Sequence, residues 1–154
     1  MPYTEKHSAH LRHGRRSIPQ QIYMVTTVTR GRAPLFKSMA NARRTINCLA
    51  HMDALGASET LCFVLMPDHL HWLFRLTGKY SLSSTVGQFK QNSARCLGGP
   101  VWQKGFHDHA VRVHEDIRAL ARYIIANPLR AGLVEKVGDY PYWDAAWVDD
   151  HTIL

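Results

Sequence analysis

The order of strand-like and helix-like segments predicts an α+β sandwich, with helices packed mainly on one face of an antiparallel sheet. Three observations carry this prediction: a β-branched and aromatic run near the start, an apolar hairpin in the middle, and helical patterns between them. The resulting order β-α-β-β-α-β-α is most commonly realised as a ferredoxin-like split βαβ arrangement. A length of 154 residues, with 45% hydrophobic and 20% charged content, suits one soluble globular domain.

The first half of the chain supplies three of the four predicted strands. Residues 22–29 (IYMVTTVT) have the composition of a strand, and a helical pattern follows over residues 36–55. Residues 60–66 (TLCFVLM) form an apolar run typical of a central strand. Pro67-Asp68 then predicts a tight turn, and residues 69–77 predict the returning strand.

The second half of the chain supplies two helices and one strand. A helix is predicted over residues 81–97, capped by Ser81 or Ser83 and ended by a Gly-Gly-Pro sequence. The fourth strand is expected in the second half of residues 102–113. Residues 115–126 predict a third helix, which the following Asn127-Pro128 sequence should end. We therefore divide the domain, residues 1–154, into a basic arm (1–20), a core (21–134) and an acidic, aromatic tail (135–154).

The charge of the chain bears on its partners. A net charge of +7 and a sequence pI near 9.6 favour a polyanion, nucleic acid first and an anionic membrane surface second. The sequence has no apolar run long enough for a membrane span, and residues 1–16 lack the apolar segment of a secretory signal. Three widely spaced cysteines suit reduced, structural thiols, so a cytoplasmic protein is expected.

Two histidines stand two residues apart just after the predicted turn. Because side chains alternate along a strand, His69 and His71 should point to one face of the sheet, away from Trp72. Two imidazoles on one face make half of a divalent metal site. The plainer alternative is a pair of half-exposed histidines beside a turn.

The third predicted helix carries two further polar groups. Its apolar stripe leaves Tyr123 and Asn127, four residues apart, on one flank. An amide oxygen is a hard ligand suited to Mg²⁺ or Mn²⁺, and imidazole complements it for the softer Mn²⁺. Alternatively, Tyr123 is a boundary aromatic residue and Asn127 a helix cap before proline.

Residues 66–71 (MPDHLH) and 123–134 (YIIANPLRAGLV) together resemble the single-tyrosine transposases of the HUH endonuclease superfamily. They are most similar to the branch associated with repetitive extragenic palindromes (REP). Residues 14–17 (GRRS) and 101–109 (VWQKGFHDH) match as well, so the resemblance covers most of residues 12–134. The His-x-His pattern alone is common, whereas four segments in this order and spacing are specific.

This resemblance implies roles for four residues. His69 and His71 would bind Mg²⁺ or Mn²⁺, Asn127 would be the third ligand, and Tyr123, on an added C-terminal catalytic helix, would be the nucleophile. The implied enzyme is a metal-dependent endonuclease and strand transferase for single-stranded DNA, acting near hairpins through a 5′-phosphotyrosine intermediate. The pKa of a tyrosine hydroxyl is about 10, so it is a poor nucleophile at neutral pH. A metal ion that binds the phosphate would assist its attack.

The implied partner is single-stranded DNA with a hairpin, such as a REP or palindromic element, in the bacterial cytoplasm (nucleoid). A monomer is favoured and a dimer is the alternative. Side chains suited to phosphate contact or guanine reading are Arg12, Arg15, Arg16, Ser17, Arg43, Arg44, Lys90 and Arg112. A solvated basic tail without specificity remains the alternative for the arm. Trp102 would either stack on a base or, as we favour, join the core.

A second histidine pair and the tail leave more than one interpretation open. His107, Asp108 and His109 would support the metal ligands, provide other ligands, contact DNA or cap the sheet. Residues 139–154 are acidic and aromatic. They would either fold over a basic DNA groove and regulate access or, as we favour, pack their aromatic rings on the core.

Two other functions compete with the transferase. One is a non-catalytic DNA- or RNA-binding protein that keeps the fold; a pure binder, however, does not require a tyrosine, two histidines and an asparagine in this pattern. The other is a metal-dependent hydrolase that uses an activated water. A covalent link between Tyr123 and DNA would form only in the transferase.

Overall fold

Five strands form an antiparallel sheet in the order β4-β1-β3-β2-β5 in the computed structural model, which describes residues 17–147. The strands are β1 (Ile22–Val28), β2 (Ser58–Met66), β3 (His69–Leu76), β4 (His107–Ala110) and β5 (Trp143–Ala145). The α-helices within residues 17–147 are α1 (Met39–Ala54), α2 (Leu82–Leu97), α3 (Ile117–Ile125) and α4 (Asn127–Arg130). The order of the first four strands confirms the predicted ferredoxin-like α+β sandwich.

One face of the sheet is covered by α1 and α2. The aromatic side chains Trp72 and Phe74 of β3 stack on each other, with ring centroids 4.1 Å apart, and meet Phe89 of α2. Both helices begin at a serine cap, since the hydroxyls of Ser38 and Ser81 accept from the backbone N–H groups three residues later, and only the cap of α2 was predicted. This face is the larger apolar core of the protein.

The opposite face is covered by α3. Helix α3 packs Ala121, Ile124 and Ile125 against the other side of the sheet, where Cys62 and Leu73 are fully buried. Because β3 alternates, the side of the strand that carries Leu73 also carries His69 and His71. The added C-terminal helix and the histidine pair therefore share one face, which α1 and α2 do not reach.

Three details of the fold differ from the sequence expectation. Residues 35–37 form a 3₁₀ turn, so α1 begins at Met39. The third predicted helix ends before Asn127-Pro128 as expected, but the short helix α4 follows at once, with Pro128 in its first turn, where a missing N–H is tolerated. The tail contributes β5, whose Trp143–Ala145 segment pairs with β2. Three residues are too few to give a periodic signal in the sequence.

The described part of the tail packs on the sheet, as the favoured alternative expected. Tyr140 is buried, and its hydroxyl donates to the carbonyl of Leu65 at 2.6 Å. Burial raises the pKa of Tyr140 to about 12, with a smaller contribution from Tyr142.

Trp102 also lies in the core, where its indole N–H donates to Ser93. None of the helices within residues 17–147 has the length and apolar composition needed to span a bilayer.

Candidate active site

The histidine pair begins directly after a hairpin turn that is held from two sides. The carbonyl of Asp68 accepts from both the backbone N–H and the hydroxyl of Thr29, at 2.9 and 3.1 Å. The neighbouring Pro67 carbonyl accepts from the N–H of Phe36, a buried residue before α1. These bonds fix the start of β3, and with it the position of His69.

His69 and His71 form an edge-to-face pair, with ring centroids 4.8 Å apart and an interplanar angle of 88°. Each ring uses Nδ1 for a local hydrogen bond. His69 Nδ1 lies 2.6 Å from Asp68 Oδ1, and His71 Nδ1 lies 3.0 Å from the hydroxyl of Thr26 on β1. Both rings are thereby oriented, and Nε2 is the nitrogen left to each for a ligand.

The electrostatic surroundings keep His71 neutral. Burial lowers the pKa of His71 to about 3, and the nearby His69 and Arg130 add to the effect. Burial alone would raise the pKa of Asp68, but its bonds to His69 and Arg32 outweigh that effect and lower the pKa. Neutral imidazole is the form that binds metal ions, and an ionised Asp68 favours the Nδ1–H tautomer of His69.

The spacing of the two rings fits a shared metal ion. With an imidazole–metal bond of about 2.1 Å, each ring centroid lies about 3.2 Å from the ion. If the two metal–nitrogen bonds meet at an angle of about 90° to about 109° at the ion, the ring centroids lie about 4.5 to 5.2 Å apart. The observed distance between the centroids is 4.8 Å, which falls within that range. Within residues 17–147, no group of three histidine, cysteine, aspartate or glutamate side chains could hold a metal. A metal site on this pair would therefore need a third protein ligand of another type.

Helix α3 presents Tyr123 to solvent. Asp116 caps the helix, accepting from the N–H of Ala119, and the inward stripe of Ala121 and Ile124 is buried. The same periodicity places Tyr123 outside that stripe, and 63% of this residue is exposed. A large aromatic residue this exposed, on the helix that covers the histidine face, is accessible to an external substrate.

Asn127 opens the short helix α4, on the other side of the break at Ala126. Its side-chain amide donates to the carbonyl of Ile124 at 2.9 Å. A carbonyl oxygen accepts only from the NH₂ group, so this bond fixes which end of the amide is nitrogen. The Oδ1 atom of Asn127 is then the end left to accept a hydrogen bond or to bind a cation.

Arg130 is a residue of this region to which the sequence analysis gave no role. Its guanidinium carbon lies 3.9 Å from the centroid of the Tyr123 ring. Its charge also contributes to the lowered pKa of His71. Thr26, which holds His71, was missed as well, because only the register between β1 and β3 brings the two together. The alternation of residues along the first predicted strand assigns Thr26 to one face but does not show which residue it meets.

The second histidine pair lies on the sheet edge formed by β4. His107 pairs with Thr26, which pairs in turn with His71, so the three residues form a row across the sheet. His109 lies 3.0 Å from Glu115 through its Nε2 atom. Asp108 alternates to the opposite face. Of the three candidate supporting residues, His107 is thus in register with His71 of β3.

The candidate DNA-binding residues do not come together around the histidines. Arg43 and Arg44 are exposed on α1, on the far side of the sheet. Ser17 accepts from the N–H of Leu82, at the start of α2. The Lys90 ammonium donates to the carbonyls of Gln103 and Gly105. Arg112 lies near the Ile22 end of β1. Arg12, Arg15 and Arg16 lie outside the described residues.

Comparisons with known proteins agree with the resemblance that the motifs indicated. A family model described as "Transposase IS200 like" matches residues 17–127. An Escherichia coli (strain K12) protein named REP-associated tyrosine transposase is 33% identical over 86 residues, which cover 54% of this chain and 52% of that protein. A Haemophilus influenzae protein provisionally given the same name is 30% identical over 100 residues, covering 54% of this chain and 57% of its own length. The chain therefore spans about half the length of the curated relatives it matches.

Two solved structures share the fold. One, described as a REP-associated tyrosine transposase bound to a REP hairpin, superposes with a TM-score of 0.74 at 25% identity, covering 84% of this chain and 79% of the other. The second comes from a Deinococcus radiodurans protein provisionally named a transposase. It has a TM-score of 0.54 at 22% identity and covers 74% of this chain and 95% of the other. The second likeness concerns the fold alone.

Proposed function

The chain belongs to the transposase IS200-like family, and we propose on that premise that it is a metal-dependent endonuclease and strand transferase for single-stranded DNA. Its cleavage would occur beside a DNA hairpin and pass through a 5′-phosphotyrosine intermediate. One observation carries the proposal: His69 and His71 are oriented through their Nδ1 atoms on the sheet face that α3 covers, and α3 presents an exposed Tyr123. A protein that only bound DNA would not need this arrangement.

The donor set suits a divalent cation. His69 Nε2, His71 Nε2 and Asn127 Oδ1 would hold Mn²⁺ or Mg²⁺, and the two imidazoles favour Mn²⁺. When bound, the ion would act as a Lewis acid toward the scissile phosphate. Asp68 and Thr26 hold the two rings in the orientation and tautomer that leave Nε2 for the ion.

Tyr123 performs the covalent step in the proposed reaction. Its phenolic oxygen attacks the scissile phosphorus, the bond from phosphorus to the 3′ oxygen breaks, and that oxygen leaves as a 3′-hydroxyl after taking up a proton. The phenolic proton passes to solvent, to which the exposed side chain is open. One phosphodiester replaces another, so a second 3′-hydroxyl can reverse the step and join strands without an external energy source.

The hairpin substrate is inferred from similarity and charge. The relative with a TM-score of 0.74 is described as bound to a REP hairpin. This chain carries a net charge of +7, which favours a polyanionic partner. An accessible nucleophile on α3 suits an unpaired strand better than a duplex, because a flexible strand can present its phosphate at the required angle.

Denaturing electrophoresis tests this function. The chain would be incubated with Mn²⁺ and labelled single-stranded oligonucleotides that carry hairpins from its own genome. We expect a covalent protein–DNA band that is lost in Tyr123→Phe and in His69→Ala. Tyr80→Phe is the matched control, since Tyr80 follows the opposite end of β3 from the histidines, and the band should persist in this variant. Cleavage without a band would indicate an activated water, and binding without cleavage a non-catalytic protein.

A further inference from the structure

Arg130 lies beside both the proposed nucleophile and one proposed metal ligand. Its Cζ atom lies over the Tyr123 ring, 3.9 Å from the ring centroid, which is a cation–π contact. Arg130 also stands three residues after Asn127 on the short helix α4, and side chains at that spacing share one helix face. Asn127, Arg130 and Tyr123 therefore border one region of the surface.

The contact between Arg130 and Tyr123 restrains the tyrosine ring and positions the guanidinium. Tyr123 is 63% exposed, so without a neighbour its ring would be free to change rotamer. A guanidinium has five N–H donors, so one that lies over an aromatic ring can still direct donors to phosphate oxygens. The contact thus restrains the tyrosine and leaves the donors of Arg130 available to a ligand.

The helix that carries Arg130 lies close to the histidine strand. Helix α4 packs against β2, the strand that pairs with β3. The phosphate in the proposed reaction must lie between the tyrosine oxygen that attacks it and the proposed metal ligands. A fixed positive charge beside Tyr123, on the helix that begins with Asn127, lies where that phosphate must bind.

We propose that Arg130 is a further catalytic residue of this site, whose guanidinium binds a non-bridging oxygen of the phosphate that Tyr123 attacks and holds the tyrosine ring in place. This inference rests on the function proposed above. Arg130 neither gives up a proton nor forms a covalent bond, since a guanidinium remains charged throughout the accessible pH range. It stabilises the negative charge that accumulates on the phosphate during the attack.

A methylphosphonate at the cleavage position tests the inference, because it replaces one negatively charged oxygen by a methyl group. We expect Arg130→Ala to slow single-turnover cleavage of the ordinary phosphodiester by about 10²- to 10³-fold. On the methylphosphonate, the same substitution should cost no more than about tenfold, since the charge that Arg130 binds is gone. Arg130→Lys should restore part of the rate, because it keeps the charge and loses the planar fork.

Arg118→Ala is the matched control. It removes the same charge from the adjoining helix α3, but Arg118 lies over the ring of Trp147, 5.8 Å from its centroid. We expect its cleavage rate to equal that of the unaltered chain. Thermal unfolding of all variants checks that each is folded under the assay conditions.

The outcomes separate the two proposals. If Arg130→Ala slows cleavage of the phosphodiester and of the methylphosphonate by the same factor, Arg130 has only a structural role. If Arg130→Ala retains full activity, Arg130 has no role in the site. In both cases the covalent adduct of the unaltered chain would still stand. An unaltered chain that forms no adduct with any hairpin oligonucleotide overturns the proposed function and the assignment of Arg130 together.

Discussion

The two faces of strand β3 carry different side chains, one wholly apolar and the other with two histidines ahead of the buried Leu73. Toward α1 and α2 the strand presents four fully buried apolar residues, Leu70, Trp72, Phe74 and Leu76. Toward α3 it presents His69 and His71, which are half-buried and hydrogen-bonded through one ring nitrogen each. One strand therefore anchors the core and holds the candidate metal ligands. The comparison teaches that stability and chemistry can be altered separately in this protein.

Two substitutions, one on each side of the sheet, should have the largest and most distinct effects, on cleavage and on stability respectively. Tyr123→Phe removes the proposed nucleophile, so cleavage should fall at least about 10⁴-fold, while the unfolding temperature stays unchanged because the residue is mostly exposed. Trp72→Ala empties a fully buried position against Phe74 and Phe89 and should lower the free energy of unfolding by roughly 3–5 kcal/mol. Single-turnover cleavage and urea denaturation measure the two effects. Loss of cleavage in folded Trp72→Ala would show that the faces are coupled.

The pH dependence of stability should come partly from the histidine face. His71 has a pKa of about 3 in the folded chain against an ordinary value of 6.5, so the unfolded state binds more protons between these values. Stability should therefore be lost as the pH falls below 6.5 and level off near 3, by up to a few kcal/mol. Urea denaturation in the presence of a chelator measures this, and His71→Gln should flatten the slope. An equally steep slope in that variant would contradict the shift.

Thr26→Val tests the hydrogen bond that orients His71. The substitution keeps the shape of the side chain and removes the hydroxyl that lies 3.0 Å from His71 Nδ1. Because a ligand without its orienting partner binds metal less well, the affinity for Mn²⁺ should fall about 10- to 100-fold. Titration calorimetry measures the affinity directly. An unchanged Mn²⁺ affinity would mean that Thr26 does not support the site.

Thr27, the neighbour of Thr26, should give the smallest effect, on stability alone. The hydroxyl of Thr27 is buried and has no hydrogen-bond partner among residues 17–147. Thr27→Val removes this unsatisfied group and should raise the free energy of unfolding by about 1 kcal/mol, with no change in metal affinity or cleavage. Chemical denaturation beside the Thr26→Val measurements checks this. A loss of cleavage in Thr27→Val would again link the two faces.

Much of this arrangement could be predicted from the sequence, because it depends on local periodicity. Alternation along a strand places His69 and His71 on one face, and the 3.6-residue repeat leaves Tyr123 outside the apolar stripe of α3. A cap at Ser81 or Ser83 was predicted from polar residues at the start of a helical pattern, and the structure places it at Ser81. Each of these inferences needs only residues that are close in the chain.

What could not be predicted depends on tertiary contacts. Thr26 reaches His71 across 45 positions of sequence through the register of β1 with β3. The short strand β5 exists because β2 offers it an edge, which no pattern within residues 143–145 reveals. Arg130 meets Tyr123 after the helix has divided at Ala126. Strand register and contacts across a helix break are set by the packed chain as a whole.

The measurement that tests the central claim most directly is identification of the residue and the nucleotide joined in the covalent adduct. The adduct would be digested with protease and nuclease, and the modified peptide sequenced by mass spectrometry. We predict that Tyr123 carries the 5′ phosphate of the downstream DNA, while the upstream fragment ends in a 3′-hydroxyl. A link to another residue, or a free 5′ phosphate with no linked peptide, would contradict the assignment of Tyr123 as the nucleophile on the histidine face.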